Sequence, residues 1–136
     1  SPRGYSSLTP NDYMRKAARA LTSASLLATD GDHEGACNRA YYAMFDAAHA
    51  ALLASGASVD GGRTRTHRGL IAAFGLHLVQ PGTLSADLGR ALNRVERARL
   101  LADYTGEETD AETARHAVDE ASRFILAIRT RFNFPE

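Results

Sequence analysis

Tryptophan is absent from the chain and cysteine occurs once, at Cys37. A single thiol cannot close an intramolecular disulfide or furnish a cysteine-based zinc site, so a reducing compartment, the cytoplasm, is expected. No apolar run approaches the roughly 18 residues of a membrane span, and Ser1-Pro-Arg-Gly-Tyr5 lacks the apolar stretch of a signal peptide. No membrane association is expected. β-Branched residues are scarce, with three Ile and four Val against 25 Ala and 15 Leu, a balance that starves a sheet and favours helices. There is no excess of either charge, since sixteen Lys plus Arg balance sixteen Asp plus Glu. A protein that coats nucleic acid by bulk charge is thereby excluded, and any such site must be local. Lysine is almost missing too: fifteen of the sixteen cations are Arg, the better bidentate partner for phosphate.

What is present describes one domain over residues 1–136, with its core at about 11–132 and enough apolar residues (44%) to fold without metal or disulfide. Thr9-Pro-Asn-Asp12 predicts a capped helix start, and helix 1 runs to about Thr29. Asp32 caps helix 2, whose apolar stripe includes Ala36, Ala40, Met44, Ala47 and Ala51, ending near Ser55-Gly56. Ala57 to Arg65 reads as a loop. Thr66 then caps a shorter helix carrying Leu70, Ile71, Phe74 and Leu78, stopped by Gln80-Pro81-Gly82. Helix 4 starts at Thr83 or Ser85 and reaches about Tyr104. Thr109-Asp-Ala-Glu112 reads as a second capping box for helix 5, which continues to Phe132. Four major helices, one shorter helix and brief connections predict an all-α, antiparallel up-and-down bundle.

Four segments could carry chemistry. Asp30-Gly-Asp-His-Glu-Gly35 opens like a calcium loop, but its twelfth position is Tyr41 where a bidentate Glu is needed, so it is read as a turn. In Asn38-Arg-Ala-Tyr-Tyr-Ala-Met-Phe45, Tyr41, Met44 and Phe45 read as core, Arg39 and Tyr42 as more open, and Arg39 with Asp46 could frame a polar groove. Gly61-Gly-Arg-Thr-Arg-Thr-His-Arg68 is the most basic stretch, placing Arg63, Arg65, His67 and Arg68 where a loop enters a helix N-terminus, a setting that favours anions. On helix 4, Arg90, Arg94 and Arg97 share a face. Arg99 can pair with Asp103, and Arg97 and Tyr104 lie seven apart on nearly one bearing. No two of the five His sit three or four apart, so neither a metal nor a cofactor is expected, and Cys37 reads as a small buried hydrophobe.

The order Asn38 to Phe45, Thr66 to Phe74, Arg97-Ala-Arg-Leu-Leu-Ala-Asp-Tyr104 and Ala117 to Phe132 resembles a small prokaryotic family of HEPN domains (higher eukaryotes and prokaryotes nucleotide-binding) from about Asn11 to Phe132. The resemblance implies a helical homodimer, encoded beside a minimal nucleotidyltransferase that acts as antitoxin to a ribonuclease toxin. Active relatives cleave RNA without metal, using an Arg, four to six intervening residues and a His. Arg holds phosphate while a His of near-neutral pKa moves the proton of the 2′-hydroxyl. This chain departs from that pattern. The positions counted from Arg97 are Ala102, Asp103 and Tyr104, those from Arg99 are Tyr104, Thr105 and Gly106, and no His in the chain has an Arg at the required distance.

The resemblance therefore implies a dimer cleft in which Arg97, Asp103 and Tyr104 stand at the catalytic positions beside Arg99, and the basic and aromatic stretches add Arg39, Tyr42, Arg63, Arg65, His67 and Arg94 as candidates to bind RNA or nucleotide. RNA cleavage is expected to be weak or absent unless Asp103, or His67 brought from elsewhere, moves the proton. Tyr104 matches the tyrosine that receives nucleotidyl groups in such families. The alternatives are a catalytically silent RNA- or nucleotide-binding module and a protein-interaction adaptor.

Overall fold

Thr9 opens the first helix of the computed structural model, which describes residues 8–57, 63–106 and 108–135. Its hydroxyl accepts the Asp12 N–H at 3.1 Å while the Asp12 carboxylate accepts the Thr9 N–H at 2.8 Å, the reciprocal cap that the spacing predicts. Helix α1 (Pro10–Asp30) ends at Gly31, whose φ of 92° suits a residue without Cβ. Asp32 at once accepts the Gly35 N–H at 2.9 Å and starts α2 (His33–Ala54). So short a turn folds α1 back along α2 as an antiparallel hairpin.

Alanine decides how closely that hairpin packs. Ala17, Ala20 and Ala24 of α1 and Ala36, Ala40, Ala43, Ala47, Ala48, Ala50 and Ala51 of α2 are all fully buried. Methyl side chains let helix axes approach the close end of the roughly 8–10 Å range. Helix α2 lies at the centre of the bundle, packed against α1, α4 and α5 and against the short α3 (His67–Phe74). On α5 (Ala111–Phe132), Phe124, Ile125 and Ile128 supply the bulk that the alanines do not, and Phe124 stacks on Phe74 at 5.5 Å. The fold is all-α, with no strand among the described residues. None of the described helices is long and apolar enough to cross a membrane.

Three details depart from the sequence reading. Beyond Phe74 the chain widens into a π-helical turn, Gly75–Val79, closed by the Gln80 N–H on the Gly75 carbonyl at 2.8 Å. Helix α5 is capped by Asp110, which accepts the Thr113 N–H at 2.8 Å, and not by Thr109. A carboxylate is the stronger acceptor at the positive end of a helix. Lastly, the shared basic face expected on α4 (Ala86–Thr105) is divided. Arg90 pairs with Asp87 on its own helix, whereas Arg94 reaches across to α5 and gives Glu120 two hydrogen bonds, both 3.1 Å.

Glu120 is 4% exposed, so Arg94 supplies the charge that makes its burial tolerable, with His116 Nδ1 3.6 Å away. Removing Arg94 leaves a buried carboxylate unpaired. Arg94→Ala is expected to destabilise the fold by about 2–3 kcal/mol, less than for a fully enclosed pair because water reaches Arg94. Adding Glu120→Gln to that variant should recover most of the loss, as read by urea unfolding.

Candidate functional site

The aromatic run on α2 and the first residue of α3 meet. Thr66 caps α3 by accepting the Gly69 N–H at 2.9 Å, which fixes His67 in the first helical turn. From there its imidazole lies 4.8 Å from the Phe45 ring, 5.2 Å from Tyr41 and 5.6 Å from Tyr42, three rings that α2 presents within little more than one turn. Helix α4 closes this cage with Arg99. Its guanidinium sits over the Tyr41 ring at 4.8 Å, one nitrogen donates to Asp103 at 3.2 Å, and another lies 3.3 Å from His67 Nδ1. A guanidinium can only donate, so Nδ1 accepts and the ring proton of neutral His67 belongs on Nε2.

Electrostatics keep that histidine neutral. Burial first, and then the charge of Arg99, hold the His67 imidazole below its usual range, with Glu96 opposing. Burial, aided by Glu96, raises the Tyr41 hydroxyl far above the usual tyrosine range, so it stays protonated. Tyr41 is fully buried and its hydroxyl has no hydrogen-bond partner, and the Arg99 Nε–H beside it is also buried and unpaired. Two enclosed donors left without acceptors are costly in a folded core and are expected where a ligand binds. Arg99 also lines a hollow of about 360 Å³ between α2 and α4, with Asn38, Arg39 and Asp103 on its wall. A groove of about 710 Å³ between α1 and the end of α5 is larger and is lined by Arg129, whose Nε–H is likewise buried and unpaired; the smaller hollow differs in that its arginine, Arg99, also meets His67 and Asp103.

The sequence-derived candidates divide accordingly. His67, Arg99 and Asp103 come together, and Tyr42 joins them with the Arg39 guanidinium 5.8 Å from its ring. Arg94 is engaged with Glu120 instead. Arg97 is exposed, Tyr104 is 84% exposed, and Arg65 is exposed in the 3-10 turn Arg63–Arg65. The Arg63 side chain, like the Gly61-Gly62 loop, lies outside the described residues. Tyr41 sits in the core, as its spacing predicts, and Glu96 is the neighbour of the site that no sequence pattern singles out. Cys37 is buried, with its thiol pushed up chiefly by that burial. Among the described residues no three His, Cys, Asp or Glu gather to hold a metal ion.

A sequence profile of the HEPN domain matches residues 10–131. The chain belongs to the HEPN family. A UPF0332 protein of Gloeobacter violaceus is 34% identical over 127 residues, covering 92% of each chain. A UPF0332 protein of Thermotoga maritima is 36% identical over 120 residues, covering 86% of each. A candidate toxin of Methanocaldococcus jannaschii is 32% identical over 109 residues, or 80% of this chain and 78% of its own. In this HEPN domain the segment from Arg97 to Tyr104 forms the second half of α4, and the histidine facing it comes from 32 residues upstream of Arg99.

The unpaired Tyr41 hydroxyl gives the site a stability signature. Tyr41→Phe removes a buried polar group that has no partner, so it should raise stability by about 1 kcal/mol and shift thermal unfolding upward by a few degrees. Destabilisation in a thermal melt would mean that the hydroxyl is satisfied within the fold.

Proposed function

We propose that this chain is an RNA-binding HEPN protein acting as a homodimer, the ribonuclease-type toxin of a pair whose other member is a nucleotidyltransferase antitoxin. The contact between Arg99 and His67 carries this reading. It sets a phosphate-binding cation against a neutral imidazole, the two groups that metal-independent RNA cleavage needs, although no histidine stands at the usual spacing on α4. The kinship with a candidate toxin supports the same reading.

The chemistry follows from the hydrogen bonds. A phosphodiester drawn to Arg99 competes for the guanidinium N–H that now serves His67, and Nδ1 regains its lone pair. The 2′-hydroxyl proton passes to Nδ1, O2′ attacks phosphorus and the P–O5′ bond breaks. O5′ takes a proton from water, the hydroxide so formed takes the proton from the His67 imidazolium, and a 2′,3′-cyclic phosphate and a 5′-hydroxyl remain. Asp103 holds the far side of Arg99, and the rings of Tyr41, Tyr42 and Phe45 stand tilted or edge-on around the imidazole.

Homodimerisation is supported by the second half of α4. Beyond Val95 none of its residues is fully buried, and Leu101 and Tyr104 stand 56% and 84% exposed. Packed against its twin, this half-helix brings Arg97 and Tyr104 to a shared cleft, where the Tyr104 hydroxyl is open to a nucleotidyl group from the partner enzyme. The added phosphodiester would neutralise the nearby arginines and block RNA entry. A silent binding module is the second reading, favoured by the fact that Arg99 already engages the lone pair a base would need.

Cleavage of single-stranded RNA in the presence of chelator distinguishes the two. The expected rate rises with pH along a limb below 6.5, the usual histidine value, and is flat at neutral pH, because His67 must be unprotonated and its burial, then the charge of Arg99, hold its pKa down against the opposing pull of Glu96. His67→Gln should abolish cleavage while binding is retained, and Arg99→Ala should weaken binding at least tenfold. Tight binding without any cleavage selects the silent module. Absence of RNA binding removes the proposal.

A further inference from the structure

The ring cage does not end at His67. Phe45 also meets His49 edge-on at 6.4 Å, and His49 in turn stacks nearly parallel on Tyr13 of α1, with centroids 4.1 Å apart at 15°. A continuous aromatic strip thus runs from Tyr41 along α2 and across to α1. The far end holds polar groups that the fold itself does not use. Asp46, one turn before His49, is half-buried, yet its carboxylate makes no hydrogen bond or ion pair among the described residues. Burial raises its pKa, opposed by Lys16 and Arg39. The Lys16 ammonium, on a flexible exposed stem, lies 5.6 Å from the centre of the Tyr13 ring. His49 is kept neutral by its burial and by Lys16.

We propose that Tyr13, His49 and Asp46 form a subsite for an unpaired guanine of the RNA, an inference that rests on the reading of the chain as an RNA-binding protein. Each component matches one feature of that base. The Tyr13–His49 stack offers a planar platform, and a purine stacking on Tyr13 would take the place of the Lys16 ammonium over that ring, which can follow the strand's phosphate. Guanine is the base whose Watson–Crick edge carries two adjacent N–H donors, N1–H and the N2 amino group, and a carboxylate accepts both in the fork geometry that suits two parallel bonds. Adenine and cytosine set a single amino donor beside a ring-nitrogen acceptor on that edge, and uracil a single N–H between two carbonyls, so in each an acceptor would face a carboxylate oxygen.

The spacing is compatible with one strand touching both ends. His49 lies seven positions beyond Tyr42, about 10 Å along a helix axis, or roughly three stacked nucleotides. Guanine at this position would set where the chain is cut relative to the base that is read.

The test uses fluorescence anisotropy with the intact protein and eight-nucleotide single-stranded RNAs, all-uridine or with one guanosine or one adenosine placed at each position in turn. One register is expected at which guanosine binds about tenfold more tightly than uridine or adenosine. Asp46→Asn, nearly isosteric, should erase that preference while leaving all-uridine affinity unchanged. Tyr13→Leu should lower affinity for the guanosine strand more than for the all-uridine strand. Arg99→Ala should weaken all strands alike. Binding that depends on Arg99 but shows no guanosine preference, or a preference that survives Asp46→Asn, overturns the subsite alone. A strand containing adenosine that binds as well as guanosine does the same. Absence of binding to every strand overturns the subsite together with the RNA-binding reading.

Discussion

The alanine-lined surface of α2 is the constraint from which the rest of the structure follows. A helix buried on most of its circumference must be apolar nearly all round, and α2 meets this with methyl groups on the faces covered by α1 and α5. Those faces are lean, and the Tyr and Phe side chains of the helix all fall within the stretch from Tyr41 to Phe45. That stretch lies opposite α3 and α4, the two less tightly packed elements of the bundle. The cage around His67 is therefore the place where the central helix stops being a smooth packing surface and presents rings instead.

Charge is deployed with similar economy. The protein is neutral overall, and most of its arginines are held by a carboxylate within one turn or face solvent. Two on α4 behave differently. Arg94 crosses to Glu120 and clamps α4 to α5, where apolar contact is sparse. Arg99, five residues on, points to the opposite side and is divided between Asp103, His67 and the face of Tyr41. The first arginine satisfies a buried charge and belongs to the fold. The second lies over the ring of Tyr41 with its own Nε–H buried without a partner, as is the Tyr41 hydroxyl.

Much of this was legible in the sequence. The Thr9–Asp12 box, the Asp32 and Thr66 caps, the helix ends at Gly31 and Gly106 and the alanine stripe all depend on residues within about four positions of one another, and such rules can be read from order alone. The same reading erred at Thr109, where two acceptors stood side by side, and it missed the π turn after Phe74, which no residue at Gly75–Val79 announces. It also grouped Arg90, Arg94 and Arg97 by bearing on one helix, and could not see that Glu120 of another helix would claim the middle one.

The sequence by itself determined an all-α chain with these helices and this core, because propensity, capping and periodicity act over a single turn. The tertiary structure decided which polar residues meet. His67 reaches Arg99 across 32 residues of chain, and Tyr13 reaches His49 from a different helix. Those meetings depend on the rotation of each helix about its own axis. That rotation is set by how the alanine faces of α1 and α2 nest and how α3 and α4 fill the space that remains, a collective packing result that no local spacing records.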